Sequence, residues 1–296
     1  MFMNFFLKKI LPLTLIYSLN AYALVDYSEK ESTSNKKNDL SEKSITALDG
    51  PRSDSKSLIW KSDFSLNANY ETLEIETSKI GLVNLNTHLQ TPFNIYLDMT
   101  YWSAQSANGS QNGNPKGIIG FNWIRFGSPH DEARLDLYVG GKFKGQSEFA
   151  SSRNDNIFGA ETTKRFWAFG LGLSYESTIT GTPCQNSEMS IGNIQKIAVS
   201  GGWMVSQDIQ FELEAESFTI GQSGETGRDL YLEKSLTFAT ISPKLNLNLA
   251  PAVNLEMGAR FRTKKIYSDQ SLANIKILDL HGAYSNSLFA GLNLTL

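Results

Sequence analysis

Few residues of this chain are of a type that does chemistry. Its 296 residues include three histidines and one cysteine. A serine two positions after a histidine would let the imidazole take the proton of a nucleophilic hydroxyl. No histidine has that neighbour: His88 is followed by Leu89-Gln90, His130 by Asp131-Glu132 and His281 by Gly282-Ala283. Asp279, His281 and Ser285 form a loose acid, base and hydroxyl set. Along one extended strand they would span about 20 Å, six steps of ~3.3 Å, too far to act together. Cys184 has no second cysteine to pair with and reads as an inert loop thiol. There is no P-loop, dinucleotide turn, HExxH or Cys/His cluster. Asn108-Gly109 and Asn112-Gly113 lack the strand-to-helix context of a phosphate cradle and mark a flexible loop. No catalytic residue, metal site or cofactor is expected, and the chain is not expected to be an enzyme.

Charges at alternating positions are a stronger signal. One set is Gln210, Glu212, Glu214 and Glu216; a second is Asn254, Glu256, Arg260, Arg262 and Lys264; a third is Arg134, Asp136, Tyr138, Lys142 and Lys144. The residues between them are apolar: Ile209, Phe211, Leu213 and Ala215 in the first case, Val253, Leu255, Met257, Ala259 and Phe261 in the second. Period two is the signature of a strand with two unlike faces. The same period dominates from Leu58 onward, as in Phe64, Leu66, Ala68 and Tyr70, or Ile95, Leu97, Met99 and Tyr101. Nothing long has helical spacing, so the elements that position any site are strands.

Connection lengths order those strands. Tight turns fall near Thr91-Pro92-Phe93, Ser206-Gln207-Asp208 and Ala250-Pro251-Ala252, with a slightly longer one from Gly127 to Ala133. Between them lie long polar connections: Gln105 to Lys116, Gly145 to Thr163, Thr219 to Asp229, and Thr263 to Ala273. Alternating short turns and long loops are the pattern of a transmembrane β-barrel. Glu176 to Asn193 breaks the order, being long where a short turn is due. One weak strand hidden between Gly145 and Asn193 restores it and makes the count an even twelve. Two strands look long: Ile275 to Leu296, and Leu230 to Leu249, whose apolar set changes face with a bulge expected near Pro243.

The ends of the chain agree. Leu288, Ala290, Leu292, Leu294 and Leu296 share one face, opposite Gly291, Asn293 and Thr295, and no polar tail follows. Closing a barrel with such a strand leaves no edge in lipid. Residues 1–23 read as a signal peptide, with Lys8 and Lys9, an apolar run from Ile10 to Leu19, and Ala21-Tyr22-Ala23 as cleavage site. Residues 24–57 are too polar to fold and read as a disordered periplasmic extension, leaving 58–296 as the barrel. A mean hydropathy of −0.26 fits a chain in which only alternate residues meet lipid. The net charge of −3 argues against nucleic acid as a partner.

These residues resemble Gram-negative outer-membrane β-barrel proteins of the porin-like class. The last eight, Phe289 to Leu296, are similar to that class's assembly signal, with a glycine third and large apolar residues sixth and eighth; Phe289 and Leu296 depart from it. The outer-membrane phospholipase family's His-x-Ser arrangement is not matched. Trp60, Tyr101, Trp102, Trp123, Phe126, Trp167 and Trp203 fall near strand ends, where amphipathic rings favour the membrane interface. The resemblance implies an all-β, antiparallel up-and-down barrel of about twelve strands in the cell outer membrane, with lipid and the barrel assembly machinery as partners. The charged faces then point into the lumen, where Glu212, Glu214, Glu216, Arg260, Arg262 and Lys264 are the candidate contacts for small polar solutes. Such an interior is either a pore with acidic and basic walls or an ion-pair network filling a closed barrel.

Overall fold

β-branched and aromatic residues at every second position fit a pleated surface buried on one side. The computed structural model describes residues 63–75, 78–106, 109–128, 131–224, 229–250, 252–264 and 272–295. The expected leader and extension, and with them Trp60 and His130, lie outside the described residues. The strands are β1 (Asp63–Ile75), β2 (Ser78–Gln90), β3 (Ile95–Ser106), β4 (Gly109–Asn112), β5 (Lys116–Phe126), β6 (Ala133–Lys142) and β7 (Asp155–Phe166). They continue as β8 (Phe169–Ile179), β9 (Ile194–Met204), β10 (Ile209–Ile220), β11 (Leu236–Ala250), β12 (Val253–Lys264) and β13 (Ser287–Thr295). Every neighbouring pair is antiparallel, and β1 pairs with both β2 and β13, which closes the ring. The short β4 hangs on β3 outside the succession, so the ring has twelve strands.

β7 is the strand hidden between Gly145 and Asn193. Its alternation is weak because Asn156, Thr162 and Lys164 occupy the outward face while Ile157 points in. With β7 in place the connections from β2 onward alternate, short turns at one end and long loops at the other; the two-residue link between β1 and β2 is the exception at the long-loop end. By that asymmetry the short end is periplasmic and the long end external.

Outside β7 the outward face is mostly apolar, with Ile119 of β5, Val139 of β6, Leu173 of β8, Val199 of β9, Leu213 of β10 and Leu292 of β13 exposed. Moving one such side chain from water into lipid is worth roughly 1.5–3 kcal/mol, so this surface belongs in a bilayer. Strand lengths from nine residues in β13 to fifteen in β11 suffice, since 9–11 tilted residues cross the hydrocarbon. Trp123, Phe126, Trp167 and Trp203 are exposed at the short-turn end, as an interfacial belt requires. Together these are the features of an outer-membrane β-barrel protein.

Three expectations are corrected. Trp102 faces inward and is buried, because even positions of β3 point into the barrel. β11 shows no change of face at Pro243: Leu236 and Phe238 point inward on the same side as Thr240, Ser242 and Lys244. Its register with β12 is the same at Thr240↔Arg262 and Lys244↔Gly258, and the irregularities lie at Ala239/Thr240 and Asn248/Ala250. The terminal strand is β13 alone; Leu272–Ile275 form a 3-10 turn, and the chain then folds into the outer mouth. All three have one cause: much of the outer half of the interior is itself apolar.

Close packing inside the wall uses glycine. The Tyr138 ring lies where a Cβ on Gly159 would sit, and Tyr96 covers Gly120 in the same way. Gly159→Val should displace Tyr138 and its hydroxyl's hydrogen bond to Glu176, 3.3 Å long. Overpacking of this kind costs about 1–3 kcal/mol, so the temperature of the heat-induced gel shift should fall while the barrel still assembles.

Candidate functional site

Strand register assigns every side chain to lumen or lipid. Odd positions of β1, β7 and β13 and even positions of β2, β3, β6 and β8 to β12 face inward. Much of the outer half of this interior is apolar. One cluster joins Ile194, Phe218, Ile220, Leu236 and Phe238 of the wall to Ile191, Leu232, Ile275 and Ile277 of the loops. A second joins Leu73, Ile80, Leu82, Trp102 and Ala104 to Leu278. The inner half is polar.

On the β10 to β1 side the polar rows are packed dry. Glu212, Glu214, Glu216 and Arg260 face inward as expected, each less than a tenth exposed. Lys244 Nζ lies 2.6 Å from Glu214 and 3.5 Å from Glu212, while Lys196 Nζ lies 2.5 Å from Glu216. Arg260 pairs with Glu71 and stacks 4.4 Å over the Phe289 ring; Ser287 also donates to Glu71, at 2.5 Å. Phe289, unusual for an assembly signal, thus covers a buried guanidinium. Arg262 donates to the Ala283 carbonyl at 2.9 Å, and Lys264 sits exposed at the outer end of β12. The proposed acidic and basic rows therefore do not face each other across open space: Lys244 stands between them. Unbroken parity from Thr240 to Asn246 was the signal for it.

The other side is wetter. Lys116, Arg134, Glu176 and Lys196 keep 27%, 28%, 17% and 21% of their side-chain surface accessible although they point inward. Lys116 pairs with Glu176 at 3.3 Å, and Arg134 with Asp136 at 2.7 Å, a carboxylate that also accepts from Asn122 at 2.7 Å. Half-exposed Glu161 and Ser174 lie beside them. This side of the interior thus carries partly accessible donors and acceptors of both charges, a chemistry suited to hydrogen-bonding a small polar solute. Among the described residues no three His, Cys, Asp or Glu side chains converge closely enough to hold a metal ion.

Folded loops close the outer end. Arg153 is fully buried; its Nε lies 3.1 Å from Asp155, and its Nη1 lies 2.9 Å from Glu188 and donates to the Ile275 carbonyl at 3.2 Å. Glu188 also accepts from the Ser152 amide at 2.6 Å. One guanidinium thereby ties three loops together. Lys142 adds ion pairs of 3.0 Å to both Asp155 and Asp279. Asp279, His281 and Ser285 are spread apart: His281 lies 3.2 Å from Glu71, and the Ser285 hydroxyl accepts from the Glu74 amide at 2.8 Å. A cavity of about 10 Å³ beside His281 and Tyr284 has room for about one water.

Loss of solvation alone would raise the Asp279 carboxyl, but Lys142, with Arg153 and Lys116 behind it, holds it below its ordinary 3.8. A depressed folded value stabilises above the unfolded one, and that contribution is lost as pH falls through the folded value. Proteolysis of the outer loops should therefore accelerate below about pH 4. Asp279→Asn should cleave faster at neutral pH and lose the part of the acid response due to this pair.

No protein-family model matches the chain, and none of the curated proteins does. Solved structures resemble it at low identity. NanC porin is 9% identical with a TM-score of 0.49, over 79% of this chain and 100% of that one. Outer membrane phospholipase A from Escherichia coli is 10% identical with a TM-score of 0.43, over 83% and 94%. OprD from Pseudomonas aeruginosa is 6% identical with a TM-score of 0.39, over 79% and 95%. The barrel is established by the chain's own strand ladder.

Proposed function

We propose that the protein is an outer-membrane channel for small polar or charged solutes whose resting state is shut at the outer mouth. The observation that carries this is a group of inward-facing charged side chains that stay partly accessible beneath an apolar plug made of loop, in this reading a polar slot. A barrel filled only for strength has no need of partly exposed Lys116, Arg134, Glu176 and Lys196 inside its wall. The plug, by contrast, is held by side chains and by its own turns, so it is the part able to move. In this reading the slot carries both signs of charge and selects by hydrogen bonding more than by net charge. Membrane lipid and the assembly machinery are its partners.

The buried Arg153 clamp favours a second reading, a barrel that stays closed and serves the envelope mechanically or through its loops. Liposome swelling separates the two. Vesicles carrying the protein should be tight to a monosaccharide at neutral pH and become leaky when acid loosens the outer loops. A heat-modifiable, correctly inserted barrel that stays tight under both conditions supports the closed reading.

A further inference from the structure

Lys116 of β5 and Lys142 of β6 are register partners at the outer end of the wall, and both face the lumen. Like charges directly opposite on one face are destabilising, so such a pair calls for anions beside it. Glu176 answers Lys116 at 3.3 Å, while Asp155 and Asp279 answer Lys142, each at 3.0 Å. Asp155 and Glu176 are fixed on strands β7 and β8; Asp279 alone of the three arrives on the plug. The combined charge of Lys142, Arg153 and Lys116 more than offsets the loss of water at Asp279. A carboxylate is therefore favoured at this point whatever molecule carries it. Asp279 keeps 22% of its side-chain surface accessible and Lys142 only 4%, so the carboxylate is the open member of the pair. His281, Ala283 and Ser285 tie the rest of the plug to Glu71, Arg262 and the Glu74 amide, on β1 and β12. The Asp279 pair can thus open while those ties hold.

We propose that Lys142 and Lys116 form a binding site for the unhindered carboxylate of a small anionic solute arriving at the outer mouth, and that Asp279 occupies it as an internal ligand which the solute displaces. The inference rests on the channel reading, to which it adds the class of solute and the way its arrival frees the plug. Lys142 Nζ would donate to the solute as it donates to Asp279 Oδ2, and no bond is made or broken. A tethered ligand competes at an effective concentration on the order of mM, so removing it raises the affinity for a free one.

The test uses the folded full-length protein in detergent micelles, with sodium acetate as probe, sodium chloride at equal ionic strength as the salt control and acetamide as the neutral isostere. Asp279→Ala vacates the place of the carboxylate. Equilibrium dialysis should show acetate binding to it at one saturable site, at least about 10-fold tighter than to the wild type. Lys142→Met in the same background should abolish that binding. Proteolysis of the outer loops reads the displacement without any variant: acetate should speed cleavage of the wild type where chloride and acetamide do not, and should leave the already fast Asp279→Ala unchanged. Heat-modifiable migration checks the folding of each chain. A folded Asp279→Ala chain that binds acetate no better than the wild type overturns the proposal, as does a wild type whose cleavage acetate leaves unchanged. None of these readouts needs conduction. Acetate binding and displacement in a barrel that never leaks support the site and remove the channel reading, and a leaky barrel without them does the reverse.

Discussion

Arg153→Ala should destabilise the outer end of the barrel by roughly 3–5 kcal/mol, because it strips the partner from buried carboxylates. Asp155 and Glu188 are both essentially unexposed, and the Arg153 side chain makes its closest contacts to them. Removing one member of a buried ion group costs far more than the group itself adds, since the remaining charge has neither water nor counter-ion. Lys142 would still reach Asp155 at 3.0 Å, so the stranded charge falls chiefly on Glu188. Arg153→Ala with Glu188→Gln should then recover part of the loss. The measurement is limited proteolysis of the 180–193 loop in reconstituted vesicles, beside the temperature of the gel shift. Faster cleavage with little change in the gel shift locates the clamp in the loops; equal sensitivity of both would mean that the wall depends on it too.

Ile277→Asp should open the outer mouth. Ile277 has no exposed surface and packs among Ile275, Leu232 and the Phe218–Phe238 stack, whose rings lie 4.7 Å apart. Lost packing alone costs about 2–5 kcal/mol, and an unpaired carboxylate there adds to it. A bias of 3 kcal/mol moves a two-state ratio about 150-fold. Ile277 lies on the plug and not on a strand, so the wall should assemble normally while the plug leaves the lumen. Monosaccharide flux into vesicles at neutral pH should rise accordingly, and Ile277→Val should stay close to wild type.

Where alternation was read as apolar-outward, the sequence was a sound guide: Glu212, Glu214, Glu216 and Arg260 all face inward, and the twelve-strand ring follows from connection lengths. That rule fails in the outer half of the lumen, where the inside is apolar as well. Leu236 and Phe238 then look like a reversal of β11, which hid Lys244, and Leu278 and Leu280 look like strand although they belong to an inserted loop. β7 stayed hidden for the converse reason, with polar residues on its outward face.

A polar slot under a removable plug is tested most directly by single-channel recording in a planar bilayer, comparing the wild type with a chain whose residues 276–285 are replaced by a short Gly-Ser linker. The wild type should remain silent for long periods, and the linker chain should show sustained, discrete conductance steps. A linker chain that is heat-modifiable, inserted and still silent would contradict the account.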